Sequence, residues 1–168
     1  MSRNEIHPVK AQKSILILED EVELGNVVRD YLAPLYQEVV YTNSPFEAQS
    51  LWKKRSFSLI LADIAMPGMP GHKLVKHVRA LGRIEPVIFV TANSTREVLL
   101  DAVRLGVSDV IEKPFRFEDL VQSIDRAFEI EKRRQDFYRK THGAIVEGAA
   151  AESQKKMIGL LQVAKVKN

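Results

Sequence analysis

Cysteine is missing from all 168 residues, which excludes disulfides and thiolate metal sites and fits a reducing compartment. No apolar run approaches the roughly 20 residues that cross a bilayer as a helix. The opening Met1-Ser2-Arg3-Asn4-Glu5 has no apolar core of a signal peptide, and a cytoplasmic protein is expected. Charge of one sign is scarcely in excess, the formal net charge being +3. That excess sits late, with 11 Lys or Arg against 8 Asp or Glu from Arg116 onward and 14 of each before it. Acidic residues interleave with those late cations, which reads as a solvated helix whose basic side chains complement its C-terminal dipole. Neither an aromatic nor a groove-reading arrangement accompanies them, so direct binding to nucleic acid is not expected. What is present, 45% hydrophobic and 28% charged residues, suits a globular chain with length for one domain plus an appendage.

Met1 to Lys13 is polar and proline-containing and reads as a flexible leader. Ile15-Leu16-Ile17-Leu18 shows no polar alternation, the pattern of a strand covered on both faces. Leu24, Val27, Val28, Tyr31 and Leu32 follow at helical spacing until Pro34. Glu38 to Thr42 reads as a second strand, and Ser44-Pro45 opens a helix with serine at the cap and proline in the first turn. Three more strands are expected at Ser58–Ala62, Pro86–Val90 and Ser108–Ile111. The intervening helices carry Leu74, Val75 and Val78, and then Val98, Leu99, Ala102 and Leu105, the latter capped by Ser94 or Thr95. Gly106 closes that helix as a left-handed stop, and a final helix begins near Phe117. Five strands alternating with helices predict an α/β fold, a parallel sheet wound on both sides. Ligands in such folds sit outside the carboxyl ends of the strands.

Four polar islands fall at those ends: Glu19-Asp20, Asp63, Thr91 and Lys113-Pro114. A carboxylate such as Asp63, leaving a buried strand straight into a crevice, can attack phosphorus and form an acyl phosphate. With Glu19 and Asp20 close by, three carboxylates repel and raise one another's pKa unless a cation intervenes. Magnesium suits the gap, since it takes hard oxygen ligands and bridges carboxylate to phosphoryl oxygen. Lys113 supplies a mobile point charge, Thr91 a hydroxyl donor, and Pro114 a candidate cis peptide. Singly each has an ordinary reading: a turn aspartate, a helix-capping pair, a satisfied strand-end threonine, a surface amine. Together, each at the end of its own strand, they form a phosphoryl-acceptor kit, because phosphoryl transfer is mostly positioning plus charge stabilisation.

In Ile15 to Glu21 (ILILEDE), Leu59 to Gly71 (LILADIAMPGMPG), Pro86 to Ala92 (PVIFVTA) and Gly106 to Phe115 (GVSDVIEKPF), the chain resembles the receiver domain of bacterial two-component response regulators. The resemblance covers about Ser14 to Ile130. It implies a flavodoxin-like fold with strand order 2-1-3-4-5, a receiver domain over residues 14–130, a leader over 1–13 and a helical C-terminal extension over 131–168. It further implies that Asp63 accepts a phosphoryl group from a histidine kinase or histidine phosphotransfer protein. Asp20 and Asp63 would bind Mg2+ with the backbone carbonyl of Ala65, and Glu19 would do so through water. Thr91 and Lys113 would contact the phosphoryl oxygens, while Ala92 leaves the approach open. Such a chain is a phosphoacceptor switch with at most slow self-dephosphorylation, not an enzyme.

Three departures stand out. Val110 occupies the switch position where many receivers carry an aromatic residue, and a β-branched aliphatic cannot swing in and out as an aromatic can. Signalling would then rely on the loop and helix after Thr91. Ala65 gives attacking water room but no partner, and Pro70 stands where aspartate is common, stiffening the turn. In the residues given after about Ile130 a complete DNA-binding output domain is not expected. The segment Glu131 to Asp136 is polar on every face, so the last helix is expected to leave the domain there. Further on, Met157, Ile158, Leu160, Leu161, Val163 and Val166 form an apolar cluster suited to a downstream protein partner or a second copy. A sustained heptad seam fails at Glu131 and Arg134. Two other readings stay open. One is a receiver-like binding module that is never phosphorylated. The other is an aspartyl phosphatase, which would need an acid where Ala65 and Val22 stand.

Overall fold

The computed structural model describes the backbone of residues 11–165 and side chains as far as His142. Ten elements alternate: β1 Ala11–Leu18, α1 Val22–Leu32, β2 Tyr36–Thr42, α2 Pro45–Lys54, β3 Leu59–Asp63, α3 Gly71–Ala80, β4 Val87–Thr91, α4 Arg96–Leu105, β5 Asp109–Glu112 and α5 Phe117–Lys165. All neighbouring strands pair in parallel, in the order β2-β1-β3-β4-β5. This is the doubly wound α/β sheet expected from the alternation of apolar runs.

The absence of polar alternation in the strands has its reason in two cores, one on each face. Leu16, Leu18, Ile60, Ala62, Val87 and Phe89 point to one side, among Ala48, Trp52, Leu74, Val75 and Val78 from α2 and α3. Ile15, Ile17, Leu59, Leu61 and Ile88 point to the other, among Val28 and Leu32 of α1 and Leu120, Ile124 and Ala127 of α5. Every residue of β3 and β4 is buried. Each such aliphatic side chain stabilises the fold by about 1.5–3 kcal/mol relative to exposure.

Local signals place the helix ends. Ser44 Oγ accepts the Glu47 N–H with Pro45 in the first turn, and Thr95, not Ser94, caps α4 by accepting the Val98 N–H. Gly106 closes α4 at φ +61°, where a side chain would be strained. Residues 1–10 of the expected leader lie outside the described residues, but Ala11 to Lys13 already belong to β1. Ala11 pairs with Tyr36 beyond a register irregularity that separates it from Ser14. Contacts divide the chain between Phe128 and Glu129 into two units, and α5 contributes to both. In the second unit the helix carries its own ion pairs, Glu131 with Arg134 at 2.8 Å and Asp136 with Arg139. The side chains of the apolar cluster from Met157 to Val166 lie outside the described ones.

Candidate functional site

The parallel register aligns the strand ends. Leu18 lies opposite Thr42 and Ala62, Asp63 opposite Val90, and Thr91 opposite Glu112. Each polar island therefore reaches the same rim. Burial of the preceding aliphatic residues leaves the strand no freedom to withdraw the island, so the core sets its position.

Three carboxylates meet there. Ligand oxygens of Glu19, Asp20 and Asp63 lie within 4.8 Å of one another. Glu19 and Asp63 are each only 4% exposed, whereas Asp20 faces solvent. The Lys113 ammonium is held between the two buried acids, 2.7 Å from Asp63 Oδ2 and 2.8 Å from Glu19. The other Asp63 oxygen accepts the Ala65 N–H at 2.8 Å, and Glu19 Oε1 accepts the Glu21 N–H at 3.2 Å. The Lys113–Pro114 peptide is cis, and the Lys113 N–H donates to the Thr91 carbonyl at 2.7 Å, holding the island against β4.

Electrostatics follow from burial. Loss of water pushes the Glu19 carboxyl up to about 7, with the nearby Asp63 charge adding to the rise and the Lys113 hydrogen bond opposing it. The repulsion expected among the carboxylates is present but second to desolvation. Lys113 is also desolvated, which works against its charge, yet hydrogen bonds and charge from Asp63 and Glu19 outweigh this and raise its pKa. Lys113 pairs with two of the three clustered acids, Glu19 and Asp63. The oxygen-only donor set and its uncompensated negative charge fit a hard divalent cation, with solvent-facing Asp20 open to deliver one.

Thr91 is buried, and its hydroxyl is turned to its own loop, donating to the Asn93 carbonyl at 3.0 Å and accepting the Asn93 N–H at 3.1 Å. Next to it, Ser94 Oγ donates to Glu112 Oε2 at 2.9 Å. Ala92 is exposed and lines a crevice of about 440 Å3 with Glu21, Leu24, Lys113, Pro114, Phe115 and Phe117. Val110 is half-buried and packs against the core on the α4 side. It lies opposite Phe89 of β4.

Sequence reasoning missed two contributors. Tyr41 OH donates to the Glu19 carbonyl at 3.2 Å. Gly71 abuts the acceptor strand end: a Cβ there would lie 2.1 Å from the Asp63 carbonyl oxygen. The tyrosine sits in a strand pattern like any other aromatic and carries no local signal. The glycine was visible only as part of the Pro70-Gly71 turn.

The family model of the response regulator receiver domain matches residues 15–125. The chemotaxis protein CheY-3 of Vibrio cholerae is 32% identical over 118 residues, 68% of this chain and 91% of that protein. The transcriptional regulatory protein CrdR of Helicobacter pylori is 36% identical over 70% of this chain, and RprY of Bacteroides fragilis 34% identical over 66%. The chain spans about half the length of these two transcriptional regulators, 55% and 47% respectively. Among solved structures, chemotaxis protein CheY4 of Vibrio cholerae superposes with a TM-score of 0.66 at 26% identity, covering 70% of this chain and 99% of that one. Among the described residues no helix is long and apolar enough to cross a membrane. Fold, rim geometry and matched residues lead to one conclusion: the chain belongs to the response regulator receiver domain family of two-component signal transduction systems.

Proposed function

We propose that the chain is a cytoplasmic, phosphorylation-controlled switch in which Asp63 accepts a phosphoryl group from a histidine kinase or histidine phosphotransfer protein. The observation that carries this reading is the Lys113 ammonium shared between buried Asp63 and Glu19, with the Asp20 carboxylate alongside. Asp63, at the end of the fully buried strand β3, is joined to both a mobile cation and a backbone N–H. Its oxygen attacks phosphorus, and the bond from phosphorus to the donor's imidazole nitrogen breaks as the new oxygen–phosphorus bond forms. Glu19, Asp20, Asp63 and the Ala65 carbonyl would hold magnesium, which when bound supplies charge neutralisation between the carboxylates and the phosphoryl oxygens.

Lys113 then exchanges a carboxylate partner for a phosphoryl oxygen, a charge-assisted bond of similar kind. Thr91 must withdraw its O–H from the Asn93 carbonyl before it can donate to a phosphoryl oxygen. That rearranges the loop into α4, where Ser94 is bonded to Glu112. Val110 has no aromatic ring to rotate, so this loop and α4 carry the switch in our reading. Its output is a protein contact, with a downstream partner or a second copy, through α5 and the helical extension over 131–168. The receiver domain proper would occupy 14–130. An alternative, a binding module that is never phosphorylated, draws its support from Val110. A phosphatase would need an acid at Ala65.

Intact mass separates these readings. After incubation with magnesium and a small acyl-phosphate donor, the protein is expected to gain one phosphoryl mass. Chelation of magnesium and Asp63→Asn are each expected to abolish the gain. Labelling that persists in the variant moves the acceptor elsewhere, and no labelling of the native chain favours the binding module.

A further inference from the structure

We propose that Tyr41 is a positioning residue of the acidic site, its hydroxyl fixing the Glu19–Asp20 peptide and so the place of the Asp20 carboxylate among the three acids. The inference rests on the magnesium-binding reading above and deepens it.

The paired register of β1 with β2 ends at Leu18 opposite Thr42. Glu19 is the first residue past it, and β2 holds both its N–H and its carbonyl, one in each of the two peptides that flank its Cα. Its N–H donates to the Thr42 carbonyl at 3.3 Å, and its carbonyl accepts the Tyr41 hydroxyl at 3.2 Å. That carbonyl is the oxygen of the Glu19–Asp20 peptide. A planar peptide held at its oxygen has its following Cα held as well, and that Cα carries Asp20. Of the three acids Asp20 alone is exposed, with no burial to restrain it. The grip on its peptide is the restraint the fold provides.

Helix α1 is shaped to admit this tyrosine. A Cβ on Gly25 would lie 2.2 Å from Tyr41 Cε2 and 2.5 Å from Cζ. Gly25 is buried in the helix with no left-handed conformation to require it. A glycine in a helix interior is unfavourable for the backbone, and here the missing side chain makes room for the ring. Outer hydrogen bonds such as the one from Tyr41 orient metal ligands and tune affinity.

The test uses the full chain, with magnesium titrations followed by amide NMR shifts of residues 18–22. Tyr41→Phe keeps the ring and removes the hydroxyl. Gly25→Ala keeps the hydroxyl and displaces the ring. Each is expected to weaken magnesium affinity about threefold to tenfold, the range for loss of one partly buried hydrogen bond. The double variant should bind no more weakly than the worse single one, since both act through one contact. Thermal unfolding in chelator guards against a general loss of stability, and Tyr41→Phe is expected to lower Tm by no more than about 1–6 °C, the cost of the same hydrogen bond. Native affinity in Tyr41→Phe, or losses that multiply in the double variant, would overturn the role given to Tyr41. Failure of the native protein itself to bind magnesium would instead overturn the metal reading beneath it, and this inference with it.

Discussion

Replacing Lys113 with methionine is expected to destabilise the protein by about 3–5 kcal/mol at pH 8 in chelator, the cost of leaving a buried charge without its partner. Lys113 is the cation for both Glu19 and Asp63, with its side chain 16% exposed and theirs 6% and 4%. Methionine fills similar space and removes only the charge and the donors. The loss should shrink markedly at pH 5. Burial already holds the Glu19 carboxyl at about 7, and Lys113 opposes that rise more than the Glu21 N–H does, so the variant raises it further. A carboxyl whose folded value stands above its unfolded one binds its proton more tightly in the folded state. Its favourable contribution is complete below the unfolded value and is lost as pH rises through the folded one. The window therefore opens above the ordinary carboxylate range and runs through about 7 or higher. Urea unfolding at pH 5 and pH 8 checks this. Equal losses at both, or none, would mean that Lys113 does not compensate these acids.

Gly71→Ala is the second large effect. The added Cβ would stand 2.1 Å from the Asp63 carbonyl oxygen, 3.0 Å from its carbon and 3.3 Å from Ile64 Cα. All three are backbone atoms at the end of a buried strand, so no side chain can swing aside. Either β3 or the start of α3 must shift. The Gly71 N–H bond to the Ile64 carbonyl, 3.2 Å long, lies in the same contact. Overpacking of this kind costs about 1–3 kcal/mol, which lowers Tm by roughly 2–12 °C for a chain of this size. Because the displaced atoms belong to Asp63, phosphoryl acceptance should fall along with Tm. Circular dichroism melting and the labelling assay read the two effects, and an unchanged melt would show that the turn relaxes freely.

Much of the fold was legible because its cause is local. Unbroken aliphatic runs mark strands covered on both faces, and Ser44-Pro45, Thr95 and Gly106 mark helix ends by backbone chemistry. The rim was legible too, since a parallel sheet turns four separated islands into neighbours. What sequence could not convey is which atoms then pair. Lys113 reaches Glu19 across 94 positions and Asp63 across 50, and nothing local foretells that it bridges both. The Thr91 hydroxyl bonded to Asn93 and the Ser94–Glu112 contact are likewise products of loop geometry. Tyr41 and Gly25 make sense only as a pair brought together by packing between α1 and β2. The start of β1 at Ala11 was hidden because its polar first residues and the irregular register there break the pattern. Glu131 and Arg134 interrupt the apolar stripe but not the helix, which continues through Lys165 on backbone hydrogen bonds and its own ion pairs.

The central claim is that Asp63 is the acceptor, and the most direct test is to locate the modification chemically. Borohydride reduces an aspartyl phosphate to homoserine, marking the residue permanently. The tryptic peptide Ser56–Lys73 contains Asp63 as its sole carboxylate side chain, so its assignment is unambiguous. Homoserine at position 63, formed only when magnesium and the phosphoryl donor are both supplied, is the predicted result. Homoserine in the peptide Ser14–Arg29, from Asp20, or the one-carbon-longer amino alcohol there, from Glu19, with Ser56–Lys73 left intact, would contradict it.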